Sequence, residues 1–561
     1  MHQRPSESIF ATQPPLWAED AALARSAWTV RPAADMTLMN RRGRARTSGV
    51  LVHPTSLAGP YGCGDLGKSA RDFVDAMHEA RQGVWQMLPV GPPGFGDSPY
   101  AAHSSFAGSP MLIDLDALDV PVDLDAATKL SVAEVDFEPT RAFRERHLRS
   151  GFARFSEHAS PDARSTFERF SEAEASWLDD WALYAALKQA HEGAAWTSWE
   201  PALRDRDAGA LEHARRVHES EVAYAKWVQY EFHEQWQSLR AYAHDRGVRL
   251  MGDLPIFVAH DSADVWAART LFDLDEQGLP RTVTGVPPDY FSATGQRWGN
   301  PPYLWSRHRK TEYAYWILRA KKATERFDWI RLDHFIGFVR AWCIPAEDAT
   351  AERGRFVRGP GDDLFQALED ALGDLPFVAE DLGVVTPAVE RLRRSWGFPG
   401  MRILQFAFGA DPAAHTFLPH AFSRNTVVYT GTHDNDTTVG WYEDDGAGGT
   451  RSSEQIATER ARLRGYVGRE TGAFEPAWEL VRLAFSSVAN TAIVPIQDLL
   501  SLGSSSRTNT PGVASGNWRF RVERGAISKA LLARLRALSE TYGRTPSEAS
   551  SKPENKRGLP T

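Results

Sequence analysis

Eight short runs rich in Val, Ile and Leu recur along the chain: SGVLVHP (48–54), GVWQMLPV (83–90), RLMGDLPIFV (249–258), WIRLDHF (329–335), FVAEDL (377–382), MRILQFAF (401–408), NTVVYTGTHD (425–434) and TAIVPIQD (491–498). Near-continuous apolar runs of this length are the pattern of strands buried on both faces. Helical patterns separate many of them, for example LGKSARDFVDAMHEA after the first and TPAVERLRRSWG after the fifth. Eight strands alternating with helices predict an α/β fold, a (β/α)8 barrel. The spacing is uneven. About 160 residues part the second and third runs and include WLDDWALYAALKQAH and VAYAKWVQYEFHEQWQSLRAYAHDRG. A mostly helical insertion is therefore expected at about 115–245, inside a catalytic barrel spanning 46–540. Residues 1–45 and the polar, Pro-rich tail 541–561 lack any sustained period and are expected to stay loose. No Pro/Gly/Ser linker leads to a separate C-terminal β-sandwich.

Composition narrows the function classes. Of 561 residues, 42% are hydrophobic and 24% charged, an ordinary globular balance. A net charge of −9 without a basic stripe argues against nucleic acid as a partner. Cys63 and Cys343 stand alone and far apart, so neither a disulfide framework nor a Cys-based zinc site is indicated, and a reducing cytoplasm is expected. The first residues lack the apolar core of a signal peptide, and no run is long enough to span a bilayer, which gives no membrane partner. With no phosphate-cradling Gly loop after a strand, no HExxH and no EF-hand loop, no cofactor and no metal are expected. The 19 Trp exceed ordinary core needs and suit stacking on sugar rings.

The chemistry gathers at the strand ends. In FDWIRLDHFIGF (327–338), Arg331 and Asp333 are two apart on a strand and share a face. Alone this would pass for a weak surface ion pair. But the third strand ends with Asp253, the fifth with Glu380 and Asp381, the seventh with His433 and Asp434 and the eighth with Gln497 and Asp498. A barrel brings such ends to one mouth. Acids recurring there suit retaining glycosyl transfer, which needs a carboxylate nucleophile and a carboxylic acid to protonate the departing oxygen. Arg331 favours the ionised form of Asp333, the expected nucleophile; Glu380, after FVA and among other acids, has surroundings that keep a proton, as an acid/base must. Asp434 is left to stabilise the charge developing on the ring, with His433 donating to a sugar hydroxyl.

RLDHF, AEDLG and TGTHDN, in this order, resemble the 4-α-glucanotransferases of glycoside hydrolase family 77, in the α-amylase clan. The likeness runs from about 48 to 522 and extends to GPYGCGDLG (59–67), WQMLPVGPPGFGDSPY (85–100), GDLPIFVAHDSADVW (252–266), GVPPDYFSATGQRWGNP (285–301) and GNWRFR (516–521). The resemblance implies Asp333 as nucleophile, Glu380 as acid/base and Asp434 as transition-state stabiliser. It further implies that Arg331 places Asp333, that His433 and Asp253 bind the sugar at the cleavage point, that Tyr100 stacks on sugar nearby and that Tyr61 contacts glucan farther off. The implied reaction moves an α-1,4-glucan segment onto the 4-hydroxyl of another glucan or of glucose. In the stretch 285–301, Pro and Gly bracket Tyr290, Phe291 and Trp298, an expected aromatic lid that excludes water. The family commonly has Arg at Ile336, Asn at Ser109 and Ile at Thr510. Two rival readings keep the barrel: an α-glucan hydrolase with the same three acids, and a non-catalytic glucan-binding scaffold.

Overall fold

The computed structural model describes residues 46–288, 294–446 and 451–546. The eight apolar runs form β1 (Thr47–Leu51), β2 (Val84–Gln86), β3 (Arg249–Pro255), β6 (Trp329–Asp333), β9 (Phe377–Ala379), β10 (Gly400–Ile403), β11 (Thr426–Tyr429) and β12 (Thr491–Pro495). They close into a barrel in the order β1-β12-β11-β10-β9-β6-β3-β2, and the pairings are parallel. The (β/α)8 expectation therefore holds strand for strand.

Two cores follow from strand alternation. Leu51, Val84, Met251, Trp329, Val378, Met401, Val427, Tyr429 and Ile493 point inward and fill the barrel. The larger core lies outside, between strands and helices. The helix Lys68–Glu79 buries Ala70, Phe73, Val74 and Met77, the i, i+3, i+4, i+7 stripe that its sequence sets. The helix Pro387–Ser395 starts on a Pro, whose missing N–H costs nothing at a helix start, and buries Val389 and Leu392.

The expected insertion is helical: Phe137–His158, Pro161–Ala173, Ala175–Ala190, Ala208–Val217 and Glu219–Asp245 follow one another. The last of these runs into β3 and packs on the helix Lys68–Glu79, so it doubles as a barrel helix. A feature not anticipated is a second sheet, β5-β4-β7-β8, built from β4 (Thr282–Val286), β5 (Gln296–Arg297), β7 (Arg340–Pro345) and β8 (Arg355–Arg358), all antiparallel. Its strands come from the loops after β3 and β6, which places it at the mouth. A Cβ on Gly285 would lie 2.0 Å from the Gln296 carbonyl oxygen, so only glycine lets β5 approach β4.

At the opposite end the chain is tied shut. Arg544, fully buried, donates to the carbonyls of Phe485 (2.7 Å), Ala489 (2.9 Å) and Thr47 (3.0 Å) among others, and Arg46 adds a bond to Ser487 O (2.9 Å). Within the stretch 541–561 expected to stay loose, Arg544 is buried and meets the carbonyls at the end of the helix Pro476–Ser486. The segments 1–45 and 547–561 lie outside the described residues. No described helix is long and apolar enough to cross a membrane.

Candidate active site

The inward row of each strand climbs from apolar floor to polar mouth. On β6 it reads Trp329, Arg331, Asp333; on β3, Met251, Asp253; on β9, Val378 and then Glu380 just past the strand. Register aligns these rows: Asp253 stands beside Arg331, and one step beyond the paired Leu332 and Ala379 come Asp333 and Glu380. Arg331 Nη1 lies 2.7 Å from Asp253 Oδ2 and 2.9 Å from Asp333 Oδ1, one cation bridging two carboxylates. The Tyr100 hydroxyl donates to the same Asp253 oxygen at 2.8 Å. Asp253 Oδ1 is buried and has no hydrogen-bond partner among the described residues, an acceptor left unused within the site. Burial pushes the Asp253 carboxyl up to about 7, against the pull of Arg331.

Glu380 is fixed by two amides. His334 N donates to Oε2 at 2.8 Å and Leu382 N to Oε1 at 3.2 Å. His334 is left-handed (φ 50°), an uncommon conformation for a non-glycine, and that turn aims its N–H at Glu380. Burial holds the Glu380 carboxyl well above the usual range; Arg331 opposes this and neighbouring Asp333 adds to it. Glu380, shifted toward its protonated form, thus sits on the amide of His334, the residue after Asp333, whose partly exposed carboxylate is paired with a guanidinium.

Asp434 projects from the loop after β11. Asn509 Nδ2 donates to its Oδ1 at 2.6 Å, His433 Nε2 lies 3.3 Å from its Oδ2, and Arg507 Nη2 donates to its carbonyl at 2.5 Å. The Tyr100 and His433 rings stack, with centroids 5.1 Å apart and planes 12° apart. Burial lowers the His433 pKa, which favours the neutral imidazole, able both to donate and to accept. Trp298, 38% exposed, stands edge-on against His334 at 4.8 Å. Tyr290 and Phe291, the other two lid aromatics, lie outside the described residues.

Two strand-end acids turn away from the mouth. Asp381 follows Glu380 directly, so alternation turns it outward, where Arg393 (3.2 Å) and Arg402 (3.4 Å) neutralise it. Asp498 is buried and accepts from Thr430 Oγ1 (2.5 Å), Thr438 N (2.7 Å) and Thr438 Oγ1 (2.7 Å). It ties down both ends of the loop that carries His433 and Asp434. Tyr61 is only 5% exposed, with its hydroxyl on Asp116 and its ring stacked on Phe143. Among the departures, Ser109 caps a short turn through Met111 N, Ile336 is buried, and Thr510 N bonds Asn517 Oδ1. Sequence reasoning gave no role to Arg507, Asn509 or Trp518; Trp518 lies in the quoted stretch GNWRFR, and the cue for the other two was a run dense in Ser, Asn, Gly and Pro after the last strand.

Residues 52–527 match the family model of 4-alpha-glucanotransferase, glycoside hydrolase family 77. The chain belongs to the 4-alpha-glucanotransferase family. The 4-alpha-glucanotransferase of Thermus thermophilus is 47% identical over 89% of this chain and 99% of its own. That of Synechocystis is 45% identical over 89% and 98%. Among solved structures, the amylomaltase of Streptococcus agalactiae in complex with acarbose superposes with a TM-score of 0.84 at 34% identity, covering 89% of this chain and all of that one. Near-complete coverage on both sides makes this glucanotransferase a whole match and not a shared barrel alone. It also favours transfer over the hydrolase reading.

Proposed function

We propose that the barrel mouth performs retaining 4-α-glucan transfer with Asp333 as nucleophile, Glu380 as acid/base and Asp434 as stabiliser. The observation that carries the assignment is the neighbourhood of two unlike carboxyls: Glu380, buried, shifted upward and held by the His334 amide, and Asp333, the residue before His334, in contact with the Arg331 guanidinium at 2.9 Å. Glu380 gives its proton to the glycosidic oxygen as an Asp333 oxygen attacks C1; the bond to the leaving glucan breaks and a covalent glycosyl-enzyme forms. Glu380, now a carboxylate, takes the proton from an acceptor 4-hydroxyl, which attacks C1 and displaces Asp333. Asp434, braced by Asn509, faces the positive charge that develops on the ring in both steps.

Asp253, His433 and Tyr100 bind the sugar at the cleavage point, with Trp298, which stands against His334, beside it. The substrates are α-1,4-glucans and maltooligosaccharides, with glucose as the smallest acceptor. Two buried free thiols, Cys63 and Cys343, suit a cytoplasmic setting. The test is incubation with maltotriose alone. Glucose together with maltopentaose and longer chains, absent with Asp333→Ala, is the expected result; glucose and maltose only would mean hydrolysis and overturn the reading.

A further inference from the structure

A transferase of this kind must keep water from the glycosyl-enzyme, and Trp298 stands on one side of the site, against His334. On the other side, behind the stacked Tyr100 and His433, stands Trp518. Its ring centroid is 5.9 Å from Tyr100 and 6.0 Å from His433, so it backs both. Its backbone is left-handed (φ 67°), a genuine outlier for so bulky a residue. Such strain persists only where surroundings over-determine it. Here Trp518 N donates to Thr508 O (2.7 Å), Asn517 bridges Thr510 N (2.9 Å) and Val513 O (2.8 Å), and Gln497 Nε2 holds Thr508 Oγ1 (2.8 Å).

Two hollows adjoin this wall. One is lined by His433, Asp436 and Arg507, the other by Asp97, Pro99 and Trp518, and both are lined by His53, Ser56, Leu88 and Thr508. Each leaves about 30 Å³ for the centres of water molecules, against the roughly 10–15 Å³ that one water needs. Ser56 and Thr508 bring polar groups to both hollows, and His53 Nδ1 is buried without a hydrogen-bond partner among the described residues.

We propose that Trp518 is a specificity-determining residue that separates the glycosyl-enzyme from a hydrated channel beneath the loop 508–518. Its strained backbone sets the indole across the gap between channel and sugar wall, so that an acceptor glucan arriving from the mouth meets C1 before water does. Attack by channel water would break the C1 bond to Asp333, release a free reducing end and return the proton to Glu380: hydrolysis by the same machinery. The inference rests on the transfer reading above.

The experiment compares the parent, Trp518→Asn, Trp518→Phe and His53→Leu on maltotriose in ¹⁸O-water. Label at the anomeric carbon of released products counts hydrolysis, and chains longer than maltotriose count transfer. Asn adopts the left-handed conformation but has no ring. In Trp518→Asn the hydrolysis-to-transfer ratio should rise roughly tenfold, equivalent to about 1.4 kcal/mol in the partition between water and sugar. Trp518→Phe should stay near the parent, and His53→Leu, which dries the channel without touching the wall, should lower the ratio. A folded Trp518→Asn with an unchanged ratio, or one that only raises KM as a lost sugar platform would, overturns the proposal. Should that variant not fold, a ratio unchanged or raised in His53→Leu overturns it. A parent that labels every product and makes no longer chains would sink the transfer reading, and the guard with it; a transferring parent confines any failure to Trp518.

Discussion

Replacing Arg331 by Met should destabilise the protein in a pH-dependent way. The Asp253 side chain has no solvent exposure and that of Arg331 6%, and the pair is joined at 2.7 Å. Met keeps the length but strands Asp253 with only the Tyr100 hydroxyl. Removing one partner of a buried ion pair costs about 3–5 kcal/mol, because the remaining charge is uncompensated. The sign with pH follows from proton uptake. Burial already raises the Asp253 carboxyl to about 7, so between the unfolded carboxylate value near 4 and that point the folded state binds the extra proton. Stability therefore falls as pH rises through this window, by at most about 1.4 kcal/mol per pH unit. In the parent the fall ends near 7; without Arg331 the folded value is higher and the fall continues above it. Urea unfolding followed by Trp fluorescence from about pH 5 to about pH 9 reads the difference. Adding Asp253→Asn removes the stranded charge and should restore most of the stability, while activity stays lost because Asp333 still lacks its cation. A single variant costing less than about 1 kcal/mol at alkaline pH, or a loss that does not vary with pH, would refute the reasoning.

Glu380→Gln should lower kcat on maltotriose by on the order of 10²–10⁴, with recovery of the first step on a glycosyl fluoride whose leaving group needs no proton. Because burial holds the Glu380 proton, the parent's kcat/KM should fall on the alkaline side with an apparent pKa well above ordinary carboxylates, a limb that Glu380→Gln abolishes. His308, fully buried among Tyr303, Trp305 and Tyr315, is pushed by burial from 6.5 down to about 3. Its folded form is neutral, so its stability contribution is full above 6.5 and lost as pH falls toward 3; urea midpoints of His308→Phe should show a flatter acid side, and an identical slope would contradict this. Ending the chain after Thr541 should cost at least about 3 kcal/mol by stranding carbonyls that Arg544 now satisfies, measurable by urea unfolding against Arg544→Ala.

The barrel was readable because strands buried on both faces leave continuous apolar runs, and helices returning to them leave a 3.6-residue stripe. The second sheet was not, since β5 has two residues and β8, RFVR, is mostly exposed, leaving no apolar signature. Within the site, Asp333, Glu380 and Asp253 were legible as polar ends of apolar strands. Asp381 and Asp498 shared that signature yet are turned into the fold; alternation past the inward Glu380 distinguishes Asp381, whereas Asp498 needs its Thr430 and Thr438 partners to be seen. Tyr61 stacks on Phe143, from a helix far along the chain, a contact no local pattern encodes. Asn509 and Trp518 sit on an irregular loop, where position depends on a left-handed turn and long-range bonds rather than on periodicity.

The assignment of Asp333 as nucleophile is most directly tested by trapping. Glu380→Gln, incubated with a maltosyl fluoride, can form the glycosyl-enzyme without a proton donor but resolves it slowly. Peptide mass spectrometry after an acid quench should find the maltosyl group on the segment 327–338, at Asp333. Label at Asp434 or Asp253 instead, or turnover of the fluoride with no covalent species in a rapid quench, would contradict the account.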